Sequence, residues 1–394
     1  MGVAQVPESR TEAVRQPAYD ERMAALAKVR VTPKVVGRLR LASQGLLGGF
    51  SSVEDCVSGM GAMQAQDLAS AFWAVGQRVP RSGLSNVLES LENGTVVRSW
   101  PMRGTLHLVP PRNLRWILAI TTDRIMRSAA TRHRELGITD ADIGVCRDLA
   151  LERVSGSPGA TREELFKIFE SAGQATAAQR GIHLLWILCQ NAWLVQGPPA
   201  GMGGKALGQQ LFVAFDEWIP ESRAVDREEG IAEFLLTYLR SHGPATLSDF
   251  AWWTRIPKAE VKAAHEAIRA ELVELVVGDV SYWLTHETAA LLDDGVPGAR
   301  TVLALPGFDE FLLGYTDRSL VLPPVHFEKV VPGGNGVFKR MIVSGGEIVG
   351  TWARTGNGRS AGVEAEPFVA DGLSPAARRS FEIQAAKYLR FMER

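Results

Sequence analysis

Two glutamines one residue apart, Gln64 and Gln66 in Met63-Gln-Ala-Gln-Asp67, are the first side chains whose type and spacing invite chemistry. Each amide offers a carbonyl acceptor and an NH2 donor without carrying charge. On a helix the two would diverge by about 200°, whereas from an extended or turn segment they project together and can be aimed at one point. The flanking stretches SSVEDCVSGMGAMQ and DLASAFWAVGQRV read as amphipathic helices, so a turn between them is expected. The same spacing is met by glutamines that cap a helix end or face solvent.

Other chemistries find less support. In GPPAGMGGKALG, Pro199 stands where a phosphate loop needs its first glycine, and Ala206 replaces the hydroxyl that would hold magnesium. As a dinucleotide fingerprint, Gly201-x-Gly203-x-x-Ala206 lacks the βαβ context, and a flexible turn tip is the better reading. Asp309 and Glu310 in GFDEFLLGY are adjacent, so on a strand they point to opposite faces, which favours a structural or substrate-rim role. No G-x-S-x-G elbow accompanies the serines. Cys56, Cys146 and Cys189 stand far apart and the seven histidines never pair at helical spacing, so neither a metal site nor a cofactor is expected.

Those cysteines suit a reducing cytoplasm. No apolar run approaches the length of a membrane span, and the polar start, residues 1–27, reads as a disordered extension. Net charge is only −1, but it is sorted by region. Eight arginines from Arg98 to Arg134 face one acid, Asp123, and five basic residues between Lys329 and Arg359 face Glu347 alone. Such blocks can meet phosphates, and Arg98, Arg103, Arg112, Arg115, Lys339, Arg340 and Arg354 are the candidates. His107 reads as a packing or phosphate-binding residue, and Trp186, Trp252 and Trp253 as core.

The clearest positioning unit is IAEFLLTYLRSH, ended by Gly243-Pro244, then TLSDFAWWTRI, then PKAEVKAAHEAIRAE, and finally two strands about Gly278-Asp279. Three helices and a hairpin make a winged helix-turn-helix. The plan recurs upstream, with Thr161 and Glu164 as a capping box in the middle copy and a serine cap before VEDCVSGM in the first. The expected fold is α+β, mainly α. Three tandem winged-helix units at 28–138, 139–222 and 223–292 precede a small C-terminal β-domain at 293–394, a barrel or sandwich closed by a final helix. TVLALPGFDEFLLGY and RSLVLPPV would supply strands of that domain.

At RLASQGL, AMQAQ, WPMRGTLHLVPPRN, LPGFDEFLLGYTDRS, NGVFKRMIV and GEIVGTWAR, the chain resembles, over about residues 30 to 394, the AlkZ-like family of winged-helix DNA glycosylases. The resemblance implies a concave DNA-binding channel and a catalytic signature of Gln, an apolar residue, then Gln or Asp, matched here by Gln64, Ala65 and Gln66. It further implies a monofunctional enzyme that hydrolyses the N-glycosidic bond of bulky or cationic N7- or N3-alkylpurines in double-stranded DNA. Unhooking interstrand crosslinks would then serve self-resistance to an alkylating antibiotic. A base that already carries positive charge leaves without a strong general acid, so two amides that orient a water beneath C1′ suffice. Ala65 would only pack against the turn. A monomer acting on alkylated duplex without a nucleotide cofactor is expected. The rivals are a non-catalytic winged-helix regulator and a protein that sequesters the toxic alkylator.

Overall fold

The computed structural model of the chain describes residues 31–201 and 209–393. The expected N-terminal extension and the glycine-rich tip therefore lie outside the described residues, the tip in large part. Helix α1 (Pro33–Ser43) is capped by Thr32, and α2 (Val53–Met60) by Ser52, whose hydroxyl accepts from Asp55 N at 3.0 Å. A two-residue strand β1 (Met63–Gln64) leads to α3 (Leu68–Arg78) and α4 (Leu84–Glu92). Strands β2 (Val97–Met102) and β3 (Thr105–Val109) turn about Arg103 and Gly104, both at positive φ (55° and 72°), as a tight two-residue hairpin turn requires. The long α5 (Pro111–Glu135) follows.

The middle segment has α6 (Asp140–Val154), α7 (Arg162–Ser171) opened by the Thr161 and Glu164 capping box, α8 (Arg180–Gln190), and the hairpin β4 (Leu194–Pro199) and β5 (Gln210–Ala214). The third has α9 (Arg227–His242), α10 (Leu247–Thr254), α11 (Lys258–Ala267), and the hairpin β6 (Leu272–Val277) and β7 (Val280–Thr285). The first two hairpins are not separate. They join in one antiparallel sheet of order β1-β3-β2-β4-β5, and the seam between β2 and β4 is the pair Arg98 and Gln196. No described helix is long and apolar enough to cross a membrane.

After residue 300 the architecture departs from expectation. One four-stranded antiparallel sheet forms from β8 (Val302–Leu305), β9 (Met341–Ser344), β10 (Glu347–Thr355) and β11 (Gly362–Pro367), in the order β11-β10-β9-β8. GFDEFLLGY is not a strand. Asp309 caps a helical turn, α12 (Glu310–Leu313), accepting from Phe311 N at 2.9 Å while its carbonyl accepts from the Leu313 amide at 2.9 Å. All four residues of α12 are buried, so the run carried no alternation from which to tell strand from helix. RSLVLPPV closes on itself likewise, Val321 N donating to Arg318 O at 3.1 Å. The final helix α13 (Pro375–Met392) packs on this sheet.

The core crosses the boundaries that the sequence suggests. Val57, Phe72 and Trp73 of α2 and α3 share one cluster with Val302, Ile342 and Trp352 of the C-terminal sheet and Phe381, Tyr388 and Phe391 of α13. Trp73 Nε1 donates to Ala304 O at 2.7 Å, and a Cβ on Gly76 would come within 2.5 Å of the Phe391 ring, so only glycine admits that ring against α3. Arg78, fully buried at the end of α3, grips both oxygens of Asp309 at 2.8 and 2.9 Å and donates to Gln44 Oε1 at 2.7 Å. Removing one partner of a buried pair strands the other charge in low dielectric. Asp309→Ala should therefore destabilise the fold by about 3–5 kcal/mol, as read by the midpoint of urea unfolding; a shift below about 1 kcal/mol would show that Arg78 finds another acceptor.

Candidate active site

Gly61, at φ 73°, ends α2 and turns the chain into extended Met63 and Gln64. These pair with Leu108 and His107 of β3, and Ala65 N donates to Leu106 O at 2.7 Å. Asp67 then caps α3, accepting from Ser70 N at 2.6 Å. The two glutamines thus leave a short extended turn held between two helix ends and the edge of the five-stranded sheet.

They are held differently. Gln64 Oε1 is buried and has no hydrogen-bond partner among the described residues, which costs free energy in a folded interior unless something arrives to use it. Gln66 is exposed and its Oε1 accepts from Leu106 N at 3.2 Å, leaving a second lone pair and the NH2 group. One glutamine of the pair therefore has a structural use. Gln66 also forms a wall of a cavity of about 360 Å³, with Trp100, Leu106, Ile182, Gln196 and Phe212. Ala65 is fully buried, and its carbonyl takes two hydrogen bonds from Arg98, Nε at 3.0 Å and Nη2 at 2.8 Å.

That contact corrects one expectation. Arg98 is 6% exposed, and its remaining arm donates to Gln196 Oε1 and Gln210 Oε1, so the guanidinium brackets the turn from inside the sheet and is no surface phosphate contact. Burial brings it down to about 10, which leaves it charged at neutral pH. Arg103 is half-buried, with Nη1 donating to Trp253 O at 2.9 Å and Nη2 beside His107 Nε2 at 3.3 Å. Arg115 is paired with Asp216 and lies over the Phe215 ring. Arg112, Lys339 and Arg354 are exposed, and Arg340 lies half-buried over Trp352. Trp253 and Trp186 are buried as expected of core residues, while Trp252 is only partly so and has Arg103 and Arg318 over its ring.

Beside the motif lies a buried polar cluster that the sequence did not disclose. Glu310 Oε1 accepts from Gln64 N at 3.0 Å, while Oε2 accepts from Trp253 Nε1 at 3.1 Å and faces His242 Nε2 at 3.4 Å. Burial pushes this carboxyl up, but the hydrogen bond and charge of His242, with the charge of Arg103, outweigh it and hold it at about 2. His107, fully buried, is pushed down to about 3 by burial and by Arg103, so its ring is neutral, with Nδ1 at 2.8 Å from Thr105 O. Asp309 and Glu310 do diverge, as adjacent residues should, but from a helix start rather than a strand. Among the described residues no group of three or more His, Cys, Asp or Glu side chains converges as a metal site would.

A model of the family described as DNA glycosylase AlkZ-like matches residues 57–391, and the chain belongs to that family. Among known proteins it is similar to the interstrand DNA cross-link repair glycosylase of Streptomyces sahachiroi, 26% identical over 316 residues that cover 76% of this chain and 82% of the relative. Its fold is similar to that of the solved Streptomyces sahachiroi DNA glycosylase AlkZ, with a TM-score of 0.76 at 23% identity, covering 92% of this chain and 97% of the other.

Both shifted groups make stability fall with acid. Between its ordinary value near 6.5 and about 3, His107 binds a proton only when unfolded, and Glu310 does the same between 4.5 and about 2. Unfolding free energy should be at its plateau above pH 6.5 and decline below it, first through His107. His107→Gln should flatten the decline between pH 6 and 4.5 in chemical denaturation, and an unchanged slope would mean that His107 is protonated in the fold.

Proposed function

We propose that the chain is a monofunctional DNA glycosylase that hydrolyses the bond between deoxyribose and a bulky or cationic N7- or N3-alkylpurine, with Gln64 and Gln66 jointly orienting the attacking water. The observation that carries this is Gln64 Oε1, a buried carbonyl without a partner among the described residues, on a turn whose second amide walls an open cavity, in a member of a DNA glycosylase family. Glycosidic hydrolysis passes through a cationic, oxocarbenium-like sugar. A water held by fixed amides beneath C1′ is already placed, and their carbonyl dipoles face the developing charge, which supplies positioning and electrostatic stabilisation without a strong base. A cationic leaving base asks for little acid assistance.

In this reading the three helix-plus-hairpin segments act as winged-helix units around a concave channel that takes duplex DNA, and the protein works as a cytoplasmic monomer. Arg112, Lys339, Arg340 and Arg354 supply phosphate contacts, whereas Arg98 and Arg103 shape the site. The similar Streptomyces protein is named for interstrand cross-link repair, which supports bulky crosslinking adducts as substrates and self-resistance as the role. Duplex DNA carrying an N7-alkylguanine, incubated with the protein and then treated with alkali, separates an enzyme from a regulator or a sequestering protein: strand cleavage at the lesion is expected, and binding without cleavage would overturn the proposal.

Gln64→Ala and Gln66→Ala should each lower single-turnover excision by about 10²-fold or more while leaving duplex affinity nearly intact, the scale for losing a preorganised polar group. The double variant should be little worse than the poorer single, because groups that act on one water are not additive. Wild-type rates in both single variants would reassign the water to another residue. Arg112→Ala with Arg354→Ala should reduce the slope of log Kd against log salt by about 2, one unit for each phosphate contact, and an unchanged slope would remove both from the footprint.

A further inference from the structure

Gln64 and Gln66 are neutral, whereas the charge that the proposed reaction develops is positive. The cations beside the turn worsen the balance, since the buried Arg98 and the half-buried Arg103 both bring positive charge to it. Asp67 is adjacent but exposed and spent on capping α3. Among the described residues, the carboxylate bonded to the motif itself is Glu310, 246 positions away in the chain and 2% exposed. Its three neighbours come from three elements: Gln64 from β1, Trp253 from α10 and His242 from α9. Arg103 is anchored on the Trp253 carbonyl and His107 stays neutral, while Tyr238 stacks on His242 at 4.5 Å and fixes that ring.

The bond that reaches the motif does not by itself require an acid. A glutamine of the same outline would still accept from the Gln64 amide without the several kcal/mol that desolvating an ion costs, giving up only the second acceptor, the one that meets the Trp253 indole. We infer that Glu310 is a positioning residue for the hydrolysis proposed above, on which this inference rests: through Gln64 N–H it fixes the first amide, and behind it sets a permanent negative charge that attracts the cationic sugar. The charge acts through a low-dielectric interior and is in place before the reaction begins, so no reorganisation opposes it. Glu310 touches neither the water nor the sugar in this scheme. It holds and polarises the residue that does.

Charge and shape can be separated by two variants, each made alongside Trp253→Phe, which removes the indole donor that a glutamine could not meet. In that background Glu310→Gln keeps the outline and the acceptor for Gln64 N–H but removes the charge; Glu310→Asp keeps the charge and shortens the reach. A structural brace would rank Gln above Asp, whereas the electrostatic role ranks Asp above Gln. Single-turnover excision from an N7-alkylguanine duplex should fall about 10²-fold in Glu310→Gln and less than about tenfold in Glu310→Asp, with affinity for unmodified duplex unchanged in both. Equal rates, or a faster Gln variant, would overturn the inference while an active parent protein leaves the glycosylase reading standing. A parent that excises no alkylated base overturns the reading and this inference with it. Should thermal denaturation find Glu310→Gln unfolded, Glu310→Asp decides alone: folded protein retaining less than about a hundredth of the parent rate refutes the electrostatic role.

Discussion

The bond between Arg78 and Asp309 is the constraint from which the candidate site follows. Neither charge reaches solvent, so each must be met where it lies, and the meeting fixes the end of α3 against the start of α12. Because Glu310 is the next residue, the pair also decides where a second buried carboxylate stands, and that carboxylate meets the amide of Gln64. A long-range ion pair between the first segment and the C-terminal one thereby adds a second hold on a turn that β3 and Arg98 already grip from within the first segment. The shared core of α2, α3, α13 and the four-stranded sheet gives the pair a rigid surround.

The turn is held from two sides by opposite charges. Arg98 pulls on the Ala65 carbonyl from within the five-stranded sheet, and Glu310 takes the Gln64 amide from the C-terminal side. Charge-assisted bonds of this kind are shorter and stronger than neutral ones and fix a backbone well. What remains is the side-chain amides themselves, one of which holds a buried carbonyl that meets no donor among the described residues.

Local features of the chain were legible because local physics made them. The caps at Ser52 and Thr161 and the hairpin about Gly278 and Asp279 depend on residues a few positions apart, and the turn carrying Gln64 was marked by the two helices that flank it. The path of α12 was not legible, since a continuously buried run has no period to read. The inward turn of Arg98 was hidden for a different reason: arginine-rich composition marks a basic region, but whether one guanidinium faces phosphate or a carbonyl depends on Gln196 and Gln210, about a hundred residues on. Glu310 was visible as an acid and invisible as a neighbour of Gln64, because nothing in a sequence reports a contact across 246 positions.

The seating of Phe391 in the notch at Gly76 has a consequence for synthesis. Domains usually fold from the N-terminal end as the chain emerges from the ribosome. Here the helix that supplies Trp73 is made long before the one that supplies Tyr388 and Phe391, so the cluster they share cannot close until both have emerged. Until then the apolar faces of α2 and α3 wait uncovered, open to the association that exposed apolar surface invites, and loss of the last two turns of α13 would be felt in the first segment, whose core they complete.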